Sequence, residues 1–171
     1  QGTLDAAFDV QLPQADPAWV DAFLDGFLSL AEQHDVALVG GDTTRGALSI
    51  GVTVHGLVTP GQALRRDGAR VGEDVWVTGT LGDAAAALAA KLAGAALDRS
   101  LRERLERPTP RIDAGRALAG LASACIDVSD GLLADLGHVC AASGVGAVVE
   151  LDRLPASSAL ARFPAATRWP W

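Results

Sequence analysis

The run Val39-Gly40-Gly41-Asp42-Thr43-Thr44-Arg45-Gly46 sets a carboxylate, two hydroxyls and an arginine among three glycines. Glycine allows positive φ and close backbone approach to a ligand. A carboxylate in such a place suits a divalent cation carried on a phosphate, and an arginine forks onto phosphate oxygens. A second acidic run, Ile126-Asp127-Val128-Ser129-Asp130-Gly131, follows further along the chain. Two acidic, small-residue turns at strand ends predict a magnesium–nucleotide site. Glycine and aspartate are also the commonest turn residues, so either run taken alone reads as a plain turn. What favours chemistry is that each follows an apolar stretch and carries Ser or Thr beside its Asp.

The neighbouring elements must position these runs. Asp16 as N-cap and Pro17 at the first helical position open a helix. Val20, Phe23, Leu24, Phe27, Leu28 and Ala31 form its apolar face, and it ends near His34-Asp35. Val36 to Val39 then reads as a short buried strand that delivers the Gly-Gly-Asp loop. Leu48, Ile50, Val52 and Val54 alternate with Ser49, Gly51, Thr53 and His55, a half-buried strand with His55 exposed. Thr59-Pro60-Gly61 interrupts the pattern and marks a boundary, giving lobes 1–60 and 61–171.

In the second lobe, Val75 to Thr78 reads as a strand. Gly79 to Asp83 leads into a helix from about Ala84 to Ala93, and this lead-in reads either as an anion cradle or as a plain turn. Leu101 to Leu105 and Ile112 to Leu121 read as helices separated by Pro108-Thr109-Pro110. Asp130 to Ala142 is helical, with Leu132, Leu133, Leu136, Val139 and Cys140 inward and Asp135 and His138 as a solvated pair. Ala147 to Leu151 reads as a last strand. Alternating helices and strands with one long β pattern suit an α+β sandwich better than a doubly wound sheet.

A formal charge of −7 argues against a nucleic-acid partner and fits a chain that recruits cations to bind anions. With 49% apolar residues the chain has enough aliphatic side chains for a core. No run approaches the roughly 20 apolar residues of a membrane span, and no basic leader is seen, so a cytoplasmic protein is expected. Cys125 and Cys140 lack metal-ligand spacing and read as buried reduced thiols. No Walker sequence or Gly-x-Gly-x-x-Gly occurs; Gly79-Thr80-Leu81-Gly82 imitates part of a P-loop, but the required Gly-Lys-Ser/Thr does not follow.

Three blocks, GGDTTRG, LRRDGARVGEDVWVTGTLGDAA and IDVSDGLLADLGHVCAASGVGAVVELDRLP, in this order and spacing resemble the thiamine-monophosphate kinase family. That family belongs to the superfamily of aminoimidazole-ribonucleotide synthetase and selenide water dikinase. The resemblance runs from about Leu12 to Pro155. It implies a two-lobed α/β sandwich and ATP-dependent phosphorylation of thiamine phosphate with magnesium. By matching positions, Asp42 implies a contact to metal and nucleotide, with Gly41 beside it. Asp127 and Asp130 imply metal ligands, Ser129 a nucleotide contact and Arg66 a bond to ATP phosphates. Arg65 has no implied task, and no residue is implied as a covalent or acid–base catalyst. A homodimer through the N-terminal lobe is also implied.

The family carries further metal aspartates and a substrate histidine before the matching region, and a Gly-Gly-Glu-Asp block after it. Neither is present, and Met is absent. The expectation is a sandwich truncated at both ends, finishing abruptly at Trp169-Pro170-Trp171 and inactive in isolation. Two alternatives stay open: another ATP-cleaving enzyme of the superfamily, or a folded remnant without chemistry. A metal-dependent phosphohydrolase is disfavoured, since paired metal-binding histidines are lacking.

Overall fold

Leu4, Ala6, Phe8, Val10 and Leu12 recur at every second residue, the period of a strand with one buried face. The computed structural model describes residues 4–163, and the finish at Trp169-Pro170-Trp171 lies outside them. In it this stretch is β1 (Leu4–Leu12), the central strand of a three-stranded sheet. Ala6, Val10 and Leu12 are buried along it. The chain divides into two units, residues 1–63 and 64–171.

In the first unit, β2 (Val36–Arg45) pairs parallel to β1 and β3 (Ser49–His55) antiparallel to it. The parallel pair needs a crossover, which is α1 (Pro17–Gln33). Asp16 caps α1 by accepting from the Ala18 nitrogen at 3.0 Å, and Pro17 stands at its start, as expected. Its end falls where expected too: His34 caps it and Asp35 turns out with φ 54°. The rings of Phe23 and Phe27 meet Phe8 edge-on at 5.7 and 5.4 Å, and Trp19 stacks on Phe23 at 5.5 Å. These contacts fix α1 to the face of β1 that holds Ala6 and Val10.

The expected burial of the flanking strands is corrected. β2 has no buried residue, and every residue of β3 is exposed, Val54 by 56%. A single helix about 10 Å across cannot cover a whole three-stranded sheet whose strands are spaced about 4.8 Å apart. The edge strands therefore keep their apolar side chains uncovered within this unit.

The second unit is helical: α2 (Asp83–Leu92), α3 (Arg99–Glu106), α4 (Ile112–Leu118) and α5 (Leu132–Ser143). Ala87 of α2, Leu101 of α3 and Ala159 form its buried cluster, flanked by Ala86, Leu97 and Leu105. The strands expected at Val75–Thr78 and Ala147–Leu151 are not there. Val75 to Val77 forms no regular element, and Leu151–Arg153 is a single 3₁₀ turn. A β-rich sequence becomes a strand only when its N–H and C=O groups find a partner strand. Among the described residues the second unit offers none. The fourth helix also stops early, at Leu118, where Gly120 takes φ 77°.

Candidate functional site

In the first unit the Gly-Gly-Asp run is not the expected loop. Gly40 to Arg45 continue β2 and lie beside β1, Gly41 against Phe8 and Asp42 against Asp9. Gly41 has a packing reason for lacking a side chain: a Cβ there would fall 2.5 Å from the Phe8 carbonyl oxygen. Since the Phe8 ring turns toward α1, strand alternation puts Asp9 and Asp42 on the opposite sheet face. Asp42 Oδ1 also accepts from the Thr43 nitrogen at 2.8 Å. Asp42 thus stands exposed beside a second carboxylate, Asp9, which the sequence reading missed. The alternation that marks β1 would have identified it.

In the second unit the structure brings four expected residues together. Arg66, Asp127, Ser129 and Asp130 line one open cavity of about 740 Å³, with Arg65, Asp67, Asp135 and His138. The Arg66 loop is held to the acidic run by its backbone. The Cys125 nitrogen donates to the Arg65 carbonyl at 2.8 Å, and Ser143 Oγ donates to the Arg66 carbonyl at 3.1 Å. Ser143 Oγ in turn accepts from the Ala69 nitrogen at 3.1 Å. Gly68 lies so close to the Ser123 carbonyl that any Cβ would overlap it.

The acidic run does not follow a strand, as expected, but a segment without regular secondary structure. Its shape comes from Asp135 in the first turn of α5. Asp135 Oδ2 accepts from the nitrogens of Ser129, Asp130 and Gly131 at 2.9, 3.2 and 3.2 Å. Gly131 supplies the turn with φ 113°. Asp135 is therefore not the expected solvated partner of His138; it is 3% exposed. The signal was an acid just inside a helix that follows several turn residues, where free N–H groups attract a carboxylate.

Arg65, without an implied task, grips Asp67 through Nε at 2.8 Å and Nη2 at 2.6 Å. That hydrogen bond holds the Asp67 carboxyl below its usual range. The pair leaves Arg66, which makes no ion pair among the described residues, as the cation available in the cavity. Cys125 and Cys140 are free, and half-buried rather than buried as expected.

Among the described residues no group of three or more His, Cys, Asp or Glu side chains is set to hold a metal ion. Magnesium, however, commonly takes one or two carboxylates and completes its shell with waters and phosphate oxygens. Asp127 and Asp130 beside Arg66 suit that donor set. No helix among the described residues is long and apolar enough to cross a membrane.

Comparison with known proteins extends these observations. The chain is 47% identical to a thiamine-monophosphate kinase of Salmonella typhimurium over 88% of its own length and 48% of the relative's. It thus spans about half the length of the curated relatives it matches. A crystal structure of thiamine-monophosphate kinase from Stenotrophomonas maltophilia superposes with a TM-score of 0.89 at 51% identity, covering 96% of this chain and 55% of that one. AaThiL complexed with AMPPCP and TMP superposes with a TM-score of 0.83 at 30% identity, covering 98% and 55%. Residues 5–58 match the N-terminal domain model of AIR synthase related proteins, and residues 70–168 match the C-terminal one. With both domain models matched in order along its length, the chain belongs to the AIR synthase related protein family.

Proposed function

We propose that the protein carrying these residues transfers the γ-phosphoryl group of ATP to thiamine phosphate, giving thiamine diphosphate. Arg66, Asp127, Ser129 and Asp130 converge on one cavity of the second unit, and that convergence supports a magnesium–polyphosphate site. The relatives named thiamine-monophosphate kinase, and the AaThiL complex with AMPPCP and TMP, support the choice of nucleotide and acceptor.

Phosphoryl transfer asks the protein for positioning and charge neutralisation rather than covalent chemistry. Arg66 would fork onto phosphate oxygens, and the Ser129 hydroxyl would hydrogen-bond the nucleotide. Asp127 and Asp130 would hold magnesium, which when bound neutralises charge on the polyphosphate. In the first unit Asp42, with Gly41 beside it, would contact metal and nucleotide. An oxygen of the acceptor phosphate attacks the γ-phosphorus in line as the bond to the β–γ bridging oxygen breaks, and ADP leaves. A phosphate monoester is already anionic at neutral pH, with its second pKa near about 6, so no general base is required.

The same reading includes a homodimer through the first unit and a cytoplasmic setting. The uncovered row Ile50, Val52 and Val54 on β3 supplies apolar surface for such a contact.

The test is direct. The protein carrying this chain is incubated with ATP, magnesium and thiamine phosphate, and the products are separated chromatographically. Thiamine diphosphate formed in step with ADP is the expected result. ADP release indifferent to thiamine phosphate would assign a different ATP-cleaving reaction and overturn the proposal.

A further inference from the structure

We propose that the second unit holds another anion site, an arginine-rich cavity between α3 and the Gly79 turn that takes a phosphate-bearing small molecule. The cavity measures about 640 Å³ and is lined by Arg104, Arg107 and Arg111, with Gly79, Asp83 and Glu103 among the other walls. It shares no lining residue with the cavity around Arg66.

Gly79 shows how closely the cations gather. A Cβ built there would lie 2.8 Å from Arg111 Nη2 and 3.8 Å from Arg104 Nη2, so two guanidinium groups approach one point. Gly79 itself takes φ 84°, a conformation other residues rarely adopt. Bringing two like charges together is unfavourable unless an opposite charge joins them.

The carboxylates facing the cavity are already engaged. Asp83, 4% exposed, accepts from Thr80 Oγ1 at 2.8 Å and from Ser157 Oγ at 2.6 Å. Arg104 Nε forms a long ion pair with Asp83 Oδ2 at 3.9 Å, so the charge left uncompensated in the cavity is that of Arg107 and Arg111. Glu103 pairs with Arg99 at 3.0 Å. Arg107 and Arg111 make no ion pair among the described residues.

Arg107 and Arg111 are presented by Arg107-Pro108-Thr109-Pro110-Arg111, where two prolines restrict the backbone. The backbone that carries both arginines is therefore ordered at less entropic cost than a flexible loop. In a chain of net charge −7 this is a local excess of positive charge, opposite in sign to the whole. A carboxylate has two oxygens, enough for one guanidinium fork. Three arginines match the higher charge and additional oxygens of a phosphate group.

Inorganic diphosphate and, separately, inorganic phosphate are titrated into the full chain without magnesium, at ionic strength held constant with chloride. The arginine Nε–H signals are followed by nitrogen-15 NMR. Saturable shifts at Arg104, Arg107 and Arg111 are expected with at least one of the two probes. Arg111→Ala should weaken the binding at least about tenfold, the loss of a charge-assisted hydrogen bond. Arg111→Lys keeps the charge but loses the fork; it should weaken binding less and serves if the alanine variant does not fold. Arg66→Ala should leave these shifts in place. The proposal is overturned if no shift saturates with either probe, if chloride reproduces the shifts, or if Arg66→Ala abolishes them while both Arg111 variants do not.

Discussion

Asp135 Oδ2 lies 2.9 Å from the backbone nitrogen of Ser129, so a buried carboxylate on α5 shapes the acidic turn that precedes it. Ser129, Asp130 and Gly131 all donate to that one oxygen, which leaves the side chains of Asp127, Ser129 and Asp130 available to the cavity.

Asp135→Ala strands three N–H groups and should destabilise the protein by about 2–3 kcal/mol. Asp135→Asn keeps an acceptor and should cost less. Urea unfolding measures the loss, and amide exchange at 129–131 should quicken in both variants. Unchanged exchange there would show that the turn holds its shape without Asp135.

Gly68→Ala places a methyl group on the Ser123 carbonyl oxygen. Backbone has little room to yield, so a cost of about 1–3 kcal/mol is expected, as for other overpacked sites. The Arg66 loop must shift with it, so under the proposed function ATP affinity should fall as well. A variant with wild-type stability and affinity would show that the loop moves freely.

The Arg65–Asp67 pair carries a pH signature. Arg65 holds the Asp67 carboxyl below its ordinary value of 3.8 in the folded state. A depressed acid contributes stability above its unfolded pKa and loses it as pH falls through the folded one. The pair should therefore be intact at neutral pH and dissolve only in the acid range below 3.8. Carbon-13 NMR of the Asp67 carboxyl reads the midpoint, and Arg65→Ala should move it upward. An unmoved midpoint would assign the shift to another group.

If the proposed transfer reaction holds, Asp42→Asn should reduce its rate by about a hundredfold or more at saturating magnesium, the scale on which lost electrostatic stabilisation acts. Arg66→Ala should raise the KM for ATP and lower kcat, since it removes a phosphate contact. Steady-state kinetics in the protein carrying this chain separate the two. A wild-type rate for Asp42→Asn would leave Asp42 as a strand residue beside Asp9.

What the chain's letters settle unaided is what neighbouring residues decide among themselves. The start of α1 follows from Asp16 and Pro17, and its apolar face from a helical period, because capping and periodicity act within a few residues. Gly144 ends α5 with φ 67° for the same local reason. The blocks around Asp42, Arg66 and Asp127 were also enough to point to the family.

Contacts between distant residues decided the rest. Val75 to Thr78 and Ala147 to Leu151 have strand composition, but no ladder forms among the described residues, and pairing cannot be read from one segment. The Gly-Gly-Asp run became strand because β1 lies alongside it, and Gly41 fits there because the Phe8 carbonyl is close. Arg66 meets the acidic run through Ser143 and Cys125, far along the chain from it. Asp135 looked like a surface acid until three backbone N–H groups were found turned toward it. Burial and hydrogen bonding depend on which parts of the chain the fold brings near, and no local pattern carries that information.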